Sequence, residues 1–135
     1  MTTSRSEKVA RRFVDAINRH QVDELVGLTS LNHVFVDSLG QRVEGRARLR
    51  QAWTEYFRMV PDYAVSVHEV LARGASVILV GTAEGTYTAD GRLLASHRWH
   101  TPAAWRAVVR NGKIAEWQVY ADNEPIRAIL RRTRK

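Results

Sequence analysis

The pattern of apolar positions divides the chain into a mainly helical first part and a β-rich second part. Apolar residues recur every three or four positions in three segments, and this spacing predicts helices over residues 4–19, 22–28 and 46–60. Ser4 and Glu7 have the spacing of a capping box at the start of the first helix. After Pro61, apolar and polar residues alternate with the period of two that is typical of strands.

Strands are predicted on both sides of the third helix. Residues 33–37 (HVFVD) form a β-rich segment that ends at a turn over 38–40, and the chain returns over 42–45. Beyond Pro61 the strands are expected over residues 63–68, 76–87, 93–99 and in a final long hairpin, and Pro102 is expected to mark a bulge, an edge or a break between strands. Three helices followed by four or five antiparallel strands predict an α+β fold with the helices on one face of the sheet.

The final hairpin is predicted at an Asn-Gly pair, residues 111–112, between two β-rich runs. A two-residue turn would place Arg106 opposite Trp117. A three-residue turn would place Arg106 opposite Glu116 and two tryptophans opposite each other, and we expect this register because such pairs stabilise a sheet. One face would carry Arg106, Glu116 and Gln118. The other would be the inner wall of the protein, and it consists of Ala103, Trp105, Ala107, Ala115, Trp117 and Val119.

Composition places the chain among ordinary globular proteins. It has 135 residues, enough for one domain over residues 1–135 with its own core. Without cysteine, it can form neither a disulfide nor a thiolate metal site. The sequence contains no apolar run of about 18 residues, which argues against a membrane helix, and its first residues lack the apolar core of a signal peptide. We expect a cytoplasmic protein.

The formal net charge of +7 is concentrated toward a basic C-terminal tail. Such a tail can bind nucleic-acid phosphates without sequence specificity. We favour a solvated chain end instead, because the strands lack the alternation of basic and aromatic residues that stacks single-stranded bases. No specific nucleic-acid partner is expected. The five tail charges are Arg127, Arg131, Arg132, Arg134 and Lys135.

Asp37 is the most informative acidic residue. It ends an apolar strand and precedes a turn that contains Gly40. A carboxylate in such a place is poorly solvated, which makes it a stronger base for proton transfer. The alternative is that its side chain only accepts hydrogen bonds from the amides of the turn, as aspartate often does.

Asp122 is the second candidate base, at the end of the hairpin. It lies five residues after Trp117, and in a regular strand that spacing puts it on the opposite face. It can reach a pocket only if the strand ends or bulges near Ala121. Alternatively, Asp122 or Asn123 caps a helix that starts at residues 124–125.

Other polar and aromatic residues are candidates for binding a ligand. His97 and His100 resemble a metal pair, but a spacing of three on a strand sends them to opposite faces, and no third ligand is evident, so no metal is expected. A pocket under this sheet would be lined by aromatic residues, whose indole and phenol groups can donate hydrogen bonds. The expected ligand-binding residues are Trp53, Tyr56, Tyr87, His97, Trp105, Trp117 and Asn123.

Four segments carry a family resemblance that covers nearly the whole chain: FVDAINRHQVDELVGL, HVFVDSLGQRVEGRARLRQAWTEYF, GTYTADGR and RNGKIAEWQVYADNEP. They resemble the nuclear transport factor 2-like superfamily, and within it the SnoaL-like polyketide cyclase and ketosteroid isomerase group. The resemblance implies a conical α+β barrel with a strongly curved sheet, usually a homodimer. It also implies a mostly apolar pocket for a small molecule, with no cofactor and no metal.

The resemblance also implies roles for individual residues. Asp37 falls where ketosteroid isomerases keep the carboxylate that moves the proton, and Asp122 falls near the acid/base aspartate of SnoaL-like cyclases. Two departures remove strong donors from the isomerase pattern, because Phe13 stands near its tyrosine and Trp105 near its second acid. Limonene epoxide hydrolases carry an arginine and an aspartate where this chain has Ala103 and Trp105. The group therefore implies cofactor-independent proton transfer on an apolar carbonyl compound, or ligand binding without turnover, ahead of epoxide hydrolysis.

Overall fold

The computed structural model describes residues 4–133 and confirms the α+β organisation. The last two residues of the predicted basic tail, Arg134 and Lys135, lie outside the described residues. The helices are α1 (Arg5–Asn18), α2 (Val22–Gly27), α3 (Arg46–Met59) and α4 (Glu124–Thr133). The strands are β1 (Thr29–Val36), β2 (Arg42–Glu44), β3 (Ala64–Arg73), β4 (Ser76–Thr86), β5 (Arg98–Arg110) and β6 (Lys113–Ala121).

One half of the predicted capping box is present at the start of α1, since the side-chain oxygen of Ser4 accepts a hydrogen bond from the amide of Glu7 at 3.1 Å. The carboxylate of Glu7 accepts a hydrogen bond from Arg11 instead. At the other end of this helix, Asn18 binds the backbone of Val65 twice. Its amide nitrogen donates to the carbonyl oxygen at 2.9 Å, and its side-chain oxygen accepts from the amide at 2.8 Å. These two bonds fix the first helix against β3.

The sheet has six strands in the order β2-β1-β6-β5-β4-β3. It is mixed rather than wholly antiparallel, because β1 pairs with β6 in parallel and every other pair is antiparallel. The parallel pair joins segments from opposite parts of the sequence, which local patterns do not reveal. The apolar sides of α1, α2 and α3 pack on the inner face of this sheet.

One expectation for the segment before the hairpin is wrong. Residues 93–97 form an irregular segment and a short 3₁₀ turn instead of a strand, so β5 begins only at Arg98. Of the three expectations for Pro102, the edge applies: the residue continues β5 and pairs with Thr82 of β4, and it has no partner in β6. The last pair between β5 and β6 is Ala103 with Ala121, one position away. The missing amide hydrogen of Pro102 therefore costs the β5–β6 ladder no hydrogen bond.

The β5–β6 hairpin has the predicted Asn-Gly turn but not the expected register. Asn111 and Gly112 both have positive φ, at 53° and 74°, so the turn contains two residues and not three. A bulge at Ala115 then shifts the pairing, so that Trp105 lies opposite Val119 and Ala107 opposite Trp117. The two tryptophans share the inner face as expected. Ala115 does not, because the bulge moves it off the regular alternation.

Candidate functional site

A cavity of about 490 Å³ lies between α3, α4 and the inner face of β1, β5 and β6. Its walls are mostly aromatic and apolar, which is typical of a site for a small organic molecule. The aromatic residues that line it are Phe35, Trp53, Tyr56, Tyr63, Trp105 and Trp117.

Edge-to-face packing holds the aromatic wall in place. The ring of Trp53 meets Phe35 at 5.8 Å and 74°, and it meets Tyr56 at 6.3 Å and 89°. Behind the wall, Phe13 of α1 packs on Trp117 with ring centroids 4.7 Å apart. Phe13 is fully buried and does not line the cavity, so the position where the resemblance implies a tyrosine supplies packing and no donor.

Two tyrosines supply phenol groups inside this apolar space. The rings of Tyr56 and Tyr63 meet edge to face with centroids 5.0 Å apart. Burial raises the pKa of both phenols above the ordinary value of 10, because a phenolate would lose its hydration there. Both groups therefore remain neutral at ordinary pH, and each can donate a hydrogen bond to a ligand oxygen.

Asp37 is half-buried and lines the cavity just after the end of β1. Its Oδ1 accepts the amide hydrogens of Leu39 and Gln41, each at 2.9 Å. The alternative considered for Asp37, in which its side chain accepts hydrogen bonds from the amides of the turn, is therefore observed at one carboxylate oxygen. Both bonds go to Oδ1, so they hold the carboxylate in a fixed orientation and leave Oδ2 able to bind a proton.

The N-terminal end of α4 and the turn after β1 meet beside Asp37. The side-chain amide of Asn123 donates to the hydroxyl of Ser38, and both residues line the cavity. Further along α4, Ile126, Arg127 and Leu130 also line it. Because these polar groups lie at its edge and the aromatic rings are buried, the cavity has an apolar interior and a polar mouth.

Asp122 is not part of the cavity. Its side chain is exposed, and its Oδ1 accepts the amide hydrogen of Glu124 at 2.9 Å, as a residue that caps α4 does. Its main-chain oxygen accepts a hydrogen bond from the hydroxyl of Thr101 at 3.0 Å. The strand continues regularly to Ala121, so the predicted alternation holds and the carboxylate points away from the inner face.

Tyr87 and His97 also lie outside the cavity. Their rings pack against each other at 6.3 Å, and the amide of Tyr87 donates to the main-chain oxygen of His97 at 3.1 Å. Both residues stand in the connection between β4 and β5, where the chain has left the sheet. Within residues 4–133, no three side chains of histidine, aspartate or glutamate are grouped so that they could hold a metal ion.

Three polar residues of the cavity were missed as candidates from the sequence. Tyr63 alternates with Val65 and Val67, and this alternation was the available signal that it faces inward. Ser38 adjoins Asp37 in the turn. Arg127 was counted in the basic tail, although it stands one helical turn after Asn123.

Residues 10–117 match the SnoaL-like domain family, and the chain belongs to this family, within the nuclear transport factor 2-like superfamily. No curated protein matches the chain. No helix in the described part is long and apolar enough to cross a membrane.

Solved structures of low sequence identity share the whole fold. A candidate SnoaL-like polyketide cyclase from Shewanella putrefaciens is 14% identical with a TM-score of 0.82, over 98% of this chain and 100% of that chain. An LEH-like epoxide hydrolase from M. tuberculosis is 19% identical with a TM-score of 0.78, over 96% of this chain and 92% of that chain. A hypothetical protein with a ketosteroid isomerase-like fold from Catenulispora acidiphila, in complex with trimethylamine, is 16% identical, with a TM-score of 0.77 over 90% of each chain. The fold is thus shared by proteins with different names and activities.

Proposed function

We propose that the cavity binds an apolar, ring-containing carbonyl compound and that Asp37 moves a proton on it. The observation that carries this proposal is the position of Asp37. It is the single carboxylate that lines the cavity among the described residues, and the interior beside it is aromatic. A positioned base beside an apolar space is well suited to removing a proton from carbon.

In this mechanism, Oδ2 of Asp37 takes a proton from the carbon next to the ligand carbonyl. The electrons of that C–H bond form a carbon–carbon double bond, and the carbonyl electrons move to oxygen to give an enolate. Neutral donors in the cavity, the phenol of Tyr56 and the indole N–H of Trp105, stabilise the developing negative charge. Asp37 then returns the proton, to another carbon in an isomerisation or after ring closure in a cyclisation. This sequence needs no cofactor.

The second candidate function is ligand binding without turnover. It is favoured by the two hydrogen bonds that backbone amides donate to Oδ1 of Asp37, because an aspartate that stabilises a turn needs no further role. Phe13 and Trp105 also stand where the resemblance implies an isomerase tyrosine and acid, which removes two donors. Epoxide hydrolysis ranks third, since Ala103 and Trp105 replace the arginine and aspartate of those hydrolases.

The test compares wild type with Asp37→Asn. A thermal-shift screen of aromatic polyketides, steroids and terpenoid epoxides identifies ligands, because binding to the native state alone raises its stability. For each ketone that binds, NMR in deuterated water follows exchange of the hydrogens next to the carbonyl. Asp37 is the base if both proteins bind the ketone and only wild type catalyses exchange. Binding without exchange in either protein favours the second function, and no binding at all contradicts both.

We also propose that the chain forms a homodimer through the outer face of its sheet. Val80, Ala104 and Tyr120 lie opposite one another on three neighbouring strands and form an apolar row, in which Val80 and Tyr120 are exposed. Sedimentation is expected to give twice the monomer mass of 15.4 kDa. A mass of one chain at micromolar concentration contradicts this proposal, and Tyr120→Glu should convert a dimer to monomers.

A further inference from the structure

One side of α4 faces the cavity and carries a single positive charge. Asn123, Ile126, Arg127 and Leu130 have the spacing of one helical face, and all four line the cavity. Among the cavity residues in the described part of the chain, Arg127 alone is basic, and it stands at the polar mouth. Its side chain is exposed, as expected for a residue at the mouth of the cavity.

The other described arginines of α4 bind acceptors within the protein. Arg131 forms an ion pair with Glu124 of the same helix. Arg132 donates from Nη2 to the main-chain oxygen of Ser96 at 2.6 Å. Arg127 takes part in none of the ion pairs found between residues 4 and 133. Its guanidinium, a planar fork of donors that suits a carboxylate, is therefore available to a ligand.

We infer that the ligand carries a carboxylate, or a comparable anionic oxygen group, which binds Arg127 at the mouth while its apolar rings fill the interior. This inference rests on the proposed function, because it names the ligand class of the same cavity. The apolar wall on one side of the mouth removes part of the hydration of an anion bound there, which strengthens its pairing with the guanidinium.

The competing charge at the mouth is that of Asp37. A ligand with an ammonium group would bind Asp37 and avoid Arg127, whereas an anionic ligand would do the reverse. Oδ1 of Asp37 already accepts hydrogen bonds from two backbone amides, and these donors offset part of the negative charge of the carboxylate. No such partner offsets the charge of Arg127 within the described chain, and for this reason the structure favours an anionic ligand.

Three probes of similar shape and different charge distinguish a preference for an anionic ligand from a preference for a neutral or a cationic one. The probes are 2-naphthoate, its neutral amide 2-naphthamide and the cationic 2-(aminomethyl)naphthalene, each titrated calorimetrically into the full chain. We expect wild type to bind the acid about tenfold more tightly than the amide. Arg127→Gln should weaken binding of the acid by about tenfold and change binding of the amide by less than about twofold. Arg131→Gln is the matched control on the same helix, and it should leave both affinities unchanged.

The outcomes distinguish this inference from the proposed function. If wild type binds acid and amide equally, or if Arg127→Gln weakens both alike, the anionic ligand is contradicted and the cavity still binds small molecules. If the ammonium probe binds most tightly, Asp37 sets the charge preference and the inference is again wrong. If none of the three probes binds but a ketone from the thermal-shift screen does, the anionic ligand is contradicted and the proposed function stands. If no ketone binds either, the proposed function fails as well. Arg127→Lys keeps the positive charge and should retain part of the preference for the acid, which identifies charge as the cause.

Discussion

The imidazole of His33 in β1 donates a hydrogen bond from Nδ1 to the main-chain oxygen of Ile114 in β6, at 2.8 Å. A carbonyl oxygen can only accept, so this bond fixes the tautomer with hydrogen on Nδ1. The side chain is fully buried, and its Nε2 has no hydrogen-bond partner in the described structure. The bond links the two strands that pair in parallel, and it places a titratable group in the core.

The stability of the protein should therefore fall in mild acid. Burial lowers the pKa of His33 below its ordinary value of 6.5, so the folded state keeps the ring neutral while the unfolded state becomes protonated. The free energy of unfolding then decreases as pH falls from 6.5 toward the lowered pKa. Urea unfolding at about pH 7.5 and about pH 5.5 measures the decrease.

His33→Asn is the control for this pH dependence. The side-chain amide of asparagine can donate to the oxygen of Ile114 from nearly the same place, but it does not titrate. The variant should be less stable at neutral pH because it leaves a small cavity, and its loss of stability in acid should be shallower. An equal decrease in both proteins would assign the effect to other groups.

Asp37 should contribute to stability through the turn after β1. Asp37→Ala removes the acceptor of two amide hydrogens and should lower the free energy of unfolding by about 1 kcal/mol, since water replaces it only in part. Asp37→Asn keeps an oxygen in the same place and should be nearly as stable as wild type. Chemical denaturation measures both variants. A large loss in Asp37→Asn would mean that the negative charge, and not only the acceptor, holds the turn.

Asp122 should stabilise α4 and take no part in proton transfer. Asp122→Ala should lower the free energy of unfolding by about 1 kcal/mol because the amide of Glu124 loses its cap. Asp122→Asn keeps a capping oxygen, so its stability should stay close to that of wild type. If Asp122→Asn abolished the hydrogen exchange of a bound ketone, the assignment of the base to Asp37 would be wrong.

Gly81 should tolerate no side chain. A Cβ added there would lie 1.8 Å from the main-chain oxygen of Ser66 in the neighbouring strand. Gly81→Ala should therefore separate β3 from β4 and cost about 2–3 kcal/mol of stability. Gly27→Ala is the matched control, because nothing lies within 4 Å of its Cβ. It should change stability by at most about 1 kcal/mol, in the stabilising direction. Thermal denaturation of both variants decides whether the contact is as close as described.

The β5–β6 hairpin shows how far local sequence patterns define the fold. The Asn-Gly turn and the shared inner face of Trp105 and Trp117 were predicted correctly. The register was not, because it depends on Ile114, which is fully buried and donates its amide hydrogen to the main-chain oxygen of Leu28 at 2.8 Å. Residues 114 and 117 would face opposite ways in a regular strand, and the bulge at Ala115 lets both face inward. The register of β5 with β6 therefore depends on a contact with Leu28, which lies far away in the sequence.

Local sequence patterns also predicted some of the residues that line the cavity and missed others. Trp53, Tyr56, Trp105 and Trp117 line it because each follows the inward periodicity of its own helix or strand, which the sequence displays. Asp37 lines it two positions after Phe35, although the apolar run before it shows no alternation. Asn123 joins them at the mouth. Tyr87 follows the end of β4 and His97 precedes the start of β5, but the chain leaves the sheet between them. The charge of Arg127 was attributed to the tail, since no local pattern shows where a terminal helix packs.

The parallel pairing of β1 with β6 has a consequence for the order of folding. His33 and Ile114 are 81 positions apart, so closing this pair costs more chain entropy than closing any hairpin of the sheet. During synthesis, β1 has only β2 beside it until β6 leaves the ribosome. The aromatic wall of the cavity is therefore complete only when Trp117 arrives with β6, and until then β1 exposes an unpaired edge that favours aggregation. Refolding should be slow for a chain of this size, because its rate is set by the meeting of two distant strands.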